Sequence, residues 1–199
     1  MKSQSSQEDT QLMLKFCEGD ENAFSRLMEQ NLSRVVNTIH RFLGRANDAE
    51  DIAQEVFLRI YNARDRYLPT ARFNTWLYRI IANLCLNYIR DHRHAQSVQF
   101  QKTSSQSIEI KDDSQETPSK IVAREEIRNQ VRLALQTLPP NQRIVMVLAK
   151  YEGLSYQEIA EAMNTTPQAV KSLLNRAKNS LKERLQQTKI GRASCRERV

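Results

Sequence analysis

Residues that mark turns are scarce in this sequence, which has only 4 Gly and 5 Pro among its 199 residues. That scarcity favours a mostly helical chain over a sheet protein rich in tight turns. No run of about 18 apolar residues is present, so we expect no insertion into a membrane. The first ten residues, MKSQSSQEDT, are polar and lack the apolar segment of a secretory signal, so we expect a cytoplasmic protein.

The residues and motifs of common reactive sites are also few. Three cysteines, odd in number and far apart, argue against a disulfide framework or a CxxC site. No phosphate-binding Gly-rich loop, HExxH zinc motif or nucleophile elbow is found. His92 and His94 are close together, but only Asp91 stands near enough to help them bind a metal ion. We therefore expect no metal ion and no cofactor.

The last ten residues, IGRASCRERV at 190–199, are unusual. The codons ATC GGA AGA GCG TCG TGT AGG GAA AGA GTG would encode them and match a common sequencing adapter base for base. We therefore expect a non-native tail, with the biological sequence ending near Thr188 or Lys189, and leave the tail out of the fold. A genuine basic tail is the alternative, and sequencing the locus from intact genomic DNA distinguishes the two.

A polar segment at 95–120 divides the chain. It contains six Ser and five Gln among 26 residues. Such a composition buries too little apolar surface to offset the entropy of ordering, so it predicts a flexible linker, with a partly helical surface loop as the alternative. We therefore predict an all-α protein with a flexible N-terminus at 1–10 and two small helical domains at 11–94 and 121–189.

Apolar residues at helical spacing predict four helices in the N-terminal domain, with a loop from Asn62 to Asn74 before the last. We expect Asn47 or Asp48 to cap the third helix. The predicted helices lie near 7–18, from 21 to about 39, from about 48 to 60 and from about 74 to 93. In the C-terminal domain, two helices are predicted near 121–136 and 141–151, on either side of a Pro-Pro pair.

Two short helices with a turn between them follow in the C-terminal domain. Ser155 and Glu158 have the spacing of a capping box. Asn164 stands where the chain must turn, and asparagine tolerates the left-handed conformation better than most residues. Thr165 or Thr166 is the predicted cap of the next helix. The pattern predicts a helix-turn-helix, whose second helix enters the major groove of DNA.

The second of these helices carries a polar face suited to DNA. Residues 166–184 contain five basic residues and one acidic residue, which favours attraction to a polyanion. The side chains expected to contact base edges or phosphates are Gln168, Lys171, Ser172, Asn175 and Arg176. The alternative is the solvated face of an ordinary helical bundle.

An acidic face is predicted on the third helix. It consists of Asp48, Asp51, Gln54 and Glu55. Acidic residues in the first turn of a helix stabilise its dipole, but this does not explain the Gln54–Glu55 pair further along. An acidic surface is unsuited to DNA, so we expect a protein partner.

Residues 59–93 have the opposite charge, with seven Arg and two Asp. Six aromatic residues are interleaved with these arginines. Basic and aromatic side chains together are typical of surfaces that bind single-stranded nucleic acid. For individual rings, notably Phe73 and Trp76, a place in the core is the alternative.

Together these segments resemble the extracytoplasmic-function (ECF) group of bacterial RNA polymerase sigma factors. The sequence DAEDIAQEVF at 48–57 is similar to region 2.2 of that family. The sequence FNTWLYRIIANLCLNYIR at 73–90 is similar to regions 2.3 and 2.4. LPPNQR at 138–143 and YEGLSYQEIA at 151–160 are similar to region 4.

The resemblance implies two macromolecular partners, core RNA polymerase and promoter DNA. It also implies that this chain is not itself an enzyme, because the polymerase supplies the chemistry. The acidic face would bind the β′ clamp, and region 4 would approach the β flap. The helix from Thr166 to Lys178 would read the −35 element. The residues that would read and melt the −10 element are Arg64, Arg72, Asn74, Thr75, Trp76, Arg79 and Asn83. Many relatives are also held inactive by an anti-sigma factor, which is a possible third partner.

Two other functions are consistent with parts of the pattern. A stand-alone helix-turn-helix regulator would bind duplex DNA without polymerase, but it would need neither the acidic face nor the arginine–aromatic segment. A protein-interaction adaptor with merely solvated basic faces would bind no DNA at any salt concentration.

Overall fold

The computed structural model describes residues 2–44, 46–69, 72–96 and 118–196, with side chains at 6–44, 48–69, 72–92 and 126–186. Within these ranges the chain forms helices and no strand, which confirms the all-α prediction there. The helices are α1 Lys2–Cys17, α2 Glu21–Leu43, α3 Ala46–Asn62, α4 Phe73–Gln96, α5 Pro118–Gln136, α6 Pro140–Val147, α7 Tyr156–Ala162 and α8 Pro167–Arg196. A 3-10 turn, Arg64–Arg66, precedes α4, and a π-helical turn, Leu148–Glu152, continues α6.

Helix α1 begins earlier than the sequence predicts. It starts at Lys2, whereas we expected a flexible segment at 1–10 and a helix from about Gln7. Asp9 is buried, and its Oδ1 accepts a hydrogen bond of 2.9 Å from Asn31 on α2. Because this contact lies in the first half of α1, the polar start of the chain is tied to the bundle.

The next three helices complete the N-terminal bundle. Asp20 caps α2 by accepting hydrogen bonds from the backbone N–H groups of Asn22 and Ala23, at 3.0 and 3.2 Å. Helix α3 begins at Ala46, so neither Asn47 nor Asp48 precedes it as its cap, and that prediction is wrong in position. The four helices place apolar faces inward, as their spacing predicts.

The predicted linker and tail are described only in part. Residues 95–96 end α4 and residues 118–120 begin α5, so both ends of the segment 95–120 are helical. Its central residues, 97–117, lie outside the described residues. Helix α8 continues as far as Arg196, through most of the tail at 190–199.

The helix-turn-helix prediction is confirmed in detail. Ser155 Oγ accepts a 3.2 Å hydrogen bond from the N–H of Glu158, whose carboxylate accepts a 2.8 Å bond from the N–H of Ser155. Asn164 is left-handed, with φ of +49°. Thr166 is the cap of α8, because its hydroxyl accepts a 3.2 Å hydrogen bond from Ala169 N–H.

The two helical domains pack against each other through one continuous apolar core. Helix α4 contacts α7, and α2 contacts both α5 and α6. At the end of α2, Gly44 is left-handed with φ of +77°. A Cβ added to Gly44 would lie 2.7 Å from the side chain of Gln136, which belongs to the other domain. Glycine is therefore required here both by backbone conformation and by close packing.

We expect Gly44→Ala to lower the free energy of unfolding by about 1–3 kcal/mol, because alanine is strained at positive φ and its methyl group displaces Gln136. Urea unfolding followed by circular dichroism measures the change. The double variant Gly44→Ala, Gln136→Ala separates the two causes, since shortening Gln136 removes the crowding but not the strain. If the double variant loses as much free energy of unfolding as the two single variants together, crowding of Gln136 is not part of the cause.

Candidate polymerase and nucleic-acid interfaces

The predicted −35 face lies on the solvent side of α8. All five of its residues are exposed: Gln168, Lys171, Ser172, Asn175 and Arg176. Their spacing of three and four residues places them on one side of the helix. Val170, Leu174 and Ala177 occupy the other side and are buried against α6 and α7. The helix therefore presents a continuous polar surface that a DNA groove could contact.

Three of the predicted −10 residues form a second polar stripe, with the half-buried Trp76 between them. Arg72 precedes α4, and Trp76, Arg79 and Asn83 follow at helical spacing on it. Arg72, Arg79 and Asn83 are exposed, while Trp76 is half-buried. These side chains are the part of the predicted −10 set that the structure brings together.

Asn74 lies at the start of α4 and is held from behind by a buried network. Its Oδ1 accepts a 2.7 Å hydrogen bond from Arg34 on α2. The same guanidinium also donates to Asn31 and lies 3.6 Å from Asp9 on α1. Burial raises the pKa of Asp9, although the hydrogen bond from Asn31 and the charge of Arg34 oppose that rise. The network fixes the position of Asn74 relative to α1 and α2.

Two predicted −10 residues are engaged within the protein. Thr75 is only 5% exposed, so its side chain lies in the core side of α4. Arg64 donates a 2.9 Å hydrogen bond to Glu21, and its guanidinium lies 5.2 Å from the ring centre of Phe16. In this arrangement neither side chain belongs to the polar stripe of α4.

Most of the aromatic rings interleaved with the arginines belong to the core. Tyr67, Phe73 and Trp76 form a cluster, with the Trp76 ring centre 4.9 Å from that of Tyr67 and 5.7 Å from that of Phe73. Tyr78 is buried, and its hydroxyl donates to Glu152. Tyr61 is the exposed member of the set. The core alternative therefore describes these rings better than a stacking surface does.

The acidic face is present on α3. Asp51 and Gln54 are exposed, Asp48 is half-buried, and Glu55 pairs with Arg59 at 2.8 Å. Leu58, one turn after Gln54, is 54% exposed. Leu58 lies outside the apolar spacing of Ile52, Val56 and Ile60 and on the same side of α3 as Asp51 and Gln54, so its position was a signal of exposure that sequence reasoning did not use. The face therefore combines carboxylate and amide groups with an apolar side chain, a composition suited to a protein partner.

Comparison with known proteins identifies the family. The model of Sigma-70 region 2 matches residues 27–95, and that of Sigma-70 region 4 matches residues 128–181. The RNA polymerase sigma-H factor of Pseudomonas aeruginosa is 31% identical over 188 residues, covering 90% of this chain and 95% of the relative. The chain is an ECF sigma factor of the sigma-70 family. The ECF sigma-E factor of Escherichia coli K12 is 30% identical over 183 residues, covering 89% and 94%.

Solved structures of similar fold include two complexes. CnrH bound to the cytosolic domain of CnrY has a TM-score of 0.67 and 23% identity, covering 90% of this chain and 97% of that chain. RpoE of Bartonella quintana, bound to the anti-sigma factor NepR, has a TM-score of 0.64 and 21% identity, covering 82% and 96%. At these identities, the likeness shows the fold.

In this sigma factor, region 4 touches the predicted −10 stripe. Arg72 lies 3.5 Å from Glu158 of α7. Burial tends to raise the pKa of Glu158, but the N–H and hydroxyl of Ser155 and the charge of Arg72 together lower that pKa below 4.5. The carboxylate therefore serves two partners, the cap of α7 and an arginine predicted to bind DNA.

The remaining reactive groups form no site in the part of the sigma factor that the structure describes. No cluster of three or more metal-binding side chains is found among those residues. Cys17 and Cys85 are free thiols, and burial raises the pKa of Cys85. The ring of His92 stacks on Tyr88, while the side chain of His94 lies outside the description. No described helix has both the length and the apolar character needed to span a bilayer.

We expect Glu158→Gln to lower the free energy of unfolding at neutral pH by about 0.3–1 kcal/mol, because glutamine can still close the capping box but carries no charge. A carboxyl whose pKa is lowered on folding adds stability above its unfolded pKa and loses it as the pH falls through the folded value. The difference should therefore shrink as the pH drops below 4.5. Urea titrations between pH 7 and about pH 2.5, which extends below the lowered pKa, measure it, with Glu161→Gln on the same helix as control. A pH-independent difference would contradict the charge effect.

Proposed function

We propose that this chain binds core RNA polymerase and directs it to promoters, with α4 and the loop before it at the −10 element and α8 at the −35 element. One observation carries the proposal: in a chain that matches sigma regions 2 and 4, different helices present surfaces of different chemical character. An acidic face on α3 is separate from two polar faces on α4 and α8. A stand-alone regulator would need only the last of these.

The polymerase-binding surface is the α3 face of Asp48, Asp51, Gln54 and Glu55, with Leu58 among them. A protein interface of this kind gains affinity from an apolar contact that polar groups surround. We assign this face to the clamp of the β′ subunit, as the family resemblance implies. Region 4 would contact the β flap.

Melting the −10 element requires a place for an unstacked base, since taking one base out of the stack costs a few kcal/mol. A cavity of about 400 Å³ lies beside the end of the loop and is lined by Ser6, Gln7, Thr10, Gln11 and Arg72. Hydroxyl, amide and guanidinium groups can hydrogen-bond a base edge. We propose that this cavity receives such a base while Arg79 and Asn83 follow the strand along α4.

The remaining roles follow from the same assignment. The polymerase supplies the chemistry, so we assign no catalytic activity, metal or cofactor to this chain. It acts in the cytoplasm, where the polymerase and the chromosome are. An anti-sigma factor is a further proposed partner, because a structural relative binds one, NepR.

Transcription in vitro tests the function directly. Purified chain added to core polymerase should give initiation at defined start sites, and mapping those sites would reveal the promoter sequence. The chain alone should bind the same DNA weakly. Tight, sequence-specific binding to an operator without polymerase would favour the stand-alone regulator instead.

We expect the double variant Gln54→Ala, Glu55→Ala to bind core polymerase at least tenfold more weakly, a loss of about 1.4 kcal/mol. Both side chains are at the surface, so the fold should persist, as circular dichroism will show. The matched control is Glu29→Ala, Gln30→Ala, which removes the same residue types from the exposed side of α2. Unchanged affinity in the first variant would contradict the assignment of the face.

We expect Arg176→Ala to weaken holoenzyme binding to promoter DNA by about 1–3 kcal/mol and to relax base preference at one −35 position, if the guanidinium reads a base. Binding to fragments that vary at each −35 position measures both effects. Lys150→Ala removes an equal charge from an exposed position outside α8 and serves as control. A uniform loss over all sequences would identify Arg176 as a phosphate contact.

A further inference from the structure

The first half of α1 has no apolar anchor. Residues 2–11 of this helix include no apolar residue, and its buried apolar side chains begin at Leu12. Helices in proteins gain most of their stability from packing of an apolar face, and an isolated helix shorter than about 12 residues is marginal in water. Four of the five residues that line the cavity beside Arg72 nevertheless belong to this polar segment. Polar contacts must therefore hold it in place.

Asp9 supplies the contact that ties this segment to α2. Its side chain is 2% exposed, and its Oδ1 accepts a 2.9 Å hydrogen bond from Asn31 Nδ2. Its Oδ2 lies 3.6 Å from the guanidinium of Arg34. Asn31 is buried as well, and its Nδ2 also donates a 2.9 Å bond to the Leu27 carbonyl one turn back on α2. The polar half of α1 is thus held by a buried carboxylate instead of an apolar side chain.

Arg34 continues these contacts from α2 to α4. It donates hydrogen bonds to the Oδ1 of Asn31 and, at 2.7 Å, to the Oδ1 of Asn74. A guanidinium can only donate and a backbone carbonyl can only accept, so the orientation of both amides is fixed. The same guanidinium lies 5.8 Å from the ring centre of Tyr78, also on α4. Asn74 is two residues after Arg72, the remaining residue of the cavity lining.

We call Asp9, Asn31, Arg34 and Asn74 the α1–α4 network. It connects the two walls of the cavity, because one wall is the polar half of α1 and the other is Arg72 at the start of α4. A hydrogen bond weakens steeply when its distance or angle changes, so a cavity that binds a base needs walls that keep their positions. A buried network of hydrogen-bonded side chains supplies such rigidity.

We propose that Asp9 and Arg34 are positioning residues for the capture of an unstacked base, because they hold the polar half of α1 against the start of α4. The proposal rests on the proposed function, in which the cavity receives that base. Neither side chain needs to touch DNA for this role. A site that is ordered before its ligand arrives avoids the cost of ordering it on binding.

The test uses the full chain and two ways of weakening the α1–α4 network. Asp9→Ala removes the anchor of α1. Arg34→Met removes the link to α4 and the counter-charge of Asp9, and it serves if the first variant fails to fold. Asp9→Asn keeps an oxygen that accepts from Asn31, so it should behave as the unmodified chain does. Glu8→Ala is the control, because it removes a carboxylate from the neighbouring, exposed position. Circular dichroism establishes that each variant is helical.

Hydrogen exchange in the free chain measures the attachment of α1 without any partner. We expect the backbone amides of residues 6–11 to exchange at least about fivefold faster in Asp9→Ala and in Arg34→Met than in the unmodified chain. Asp9→Asn and Glu8→Ala should match the unmodified chain. Unchanged exchange in the folded network variants would overturn the positioning role.

Fluorescence of 2-aminopurine measures base capture by the holoenzyme. The probe replaces each −10 base of the non-template strand in turn, in promoter fragments with mapped start sites, and its emission rises when it leaves the stack. The cavity serves the position at which Gln7→Ala, Gln11→Ala reduces this rise. At that position, with saturating holoenzyme, we expect the rise to fall at least about threefold in Asp9→Ala and Arg34→Met and to persist in Asp9→Asn and Glu8→Ala.

Two results of the fluorescence experiment would contradict different statements. A full rise in both network variants would overturn the positioning role and leave the cavity assignment intact. If no position responded to the change of Gln7 and Gln11, the proposed function of the cavity would fail, and with it the role of Asp9 and Arg34 in base capture. Hydrogen exchange would then still decide whether the α1–α4 network holds α1 in place.

Discussion

Helix α2 ends inside the molecule, and its last carbonyl groups need hydrogen-bond donors there. Gln136 and Arg143 supply those donors, and the positive charge of Arg143 suits the negative end of the helix dipole. Both donors belong to the C-terminal domain. The end of a helix in one domain is thus completed by residues of the other.

The surfaces assigned to partners differ in how many of their side chains already make contacts within the protein. The α8 face is exposed along its length, and the α3 face has an exposed leucine beside its acidic groups. Around the start of α4, by contrast, Asn74 is bound by Arg34 and Arg72 is paired with Glu158. The region proposed to open DNA is therefore the one whose side chains already make the most contacts within the protein, and most of its aromatic rings pack in the core.

Features set by near neighbours in the chain could be predicted from the sequence. Ser155, Asn164 and Thr166 act on the backbone within three residues, so residue type and spacing predicted the capping box and the turn and narrowed the cap of α8 to Thr165 or Thr166. The contacts between the two domains could not be predicted in this way, because Thr38 and Glu152, which are hydrogen-bonded, are 114 residues apart. Periodicity shows which face of a helix is apolar but not which distant helix covers it. For the same reason, composition alone overestimated the aromatic rings at the surface.

Glu152 makes buried contacts, whereas the cations of α8 are exposed, so we expect the two kinds of charged contact to respond differently to salt. Dissolved ions screen exposed charges strongly and buried pairs much less. The proposed binding of DNA by the exposed cations of α8 should weaken steeply with salt, since each neutralised phosphate releases a counterion. The hydrogen bonds of Thr38 and Tyr78 to Glu152 lie away from solvent and retain their strength. We therefore expect rising ionic strength to weaken DNA binding by α8 much more than it weakens the contact of Glu152 with the N-terminal domain.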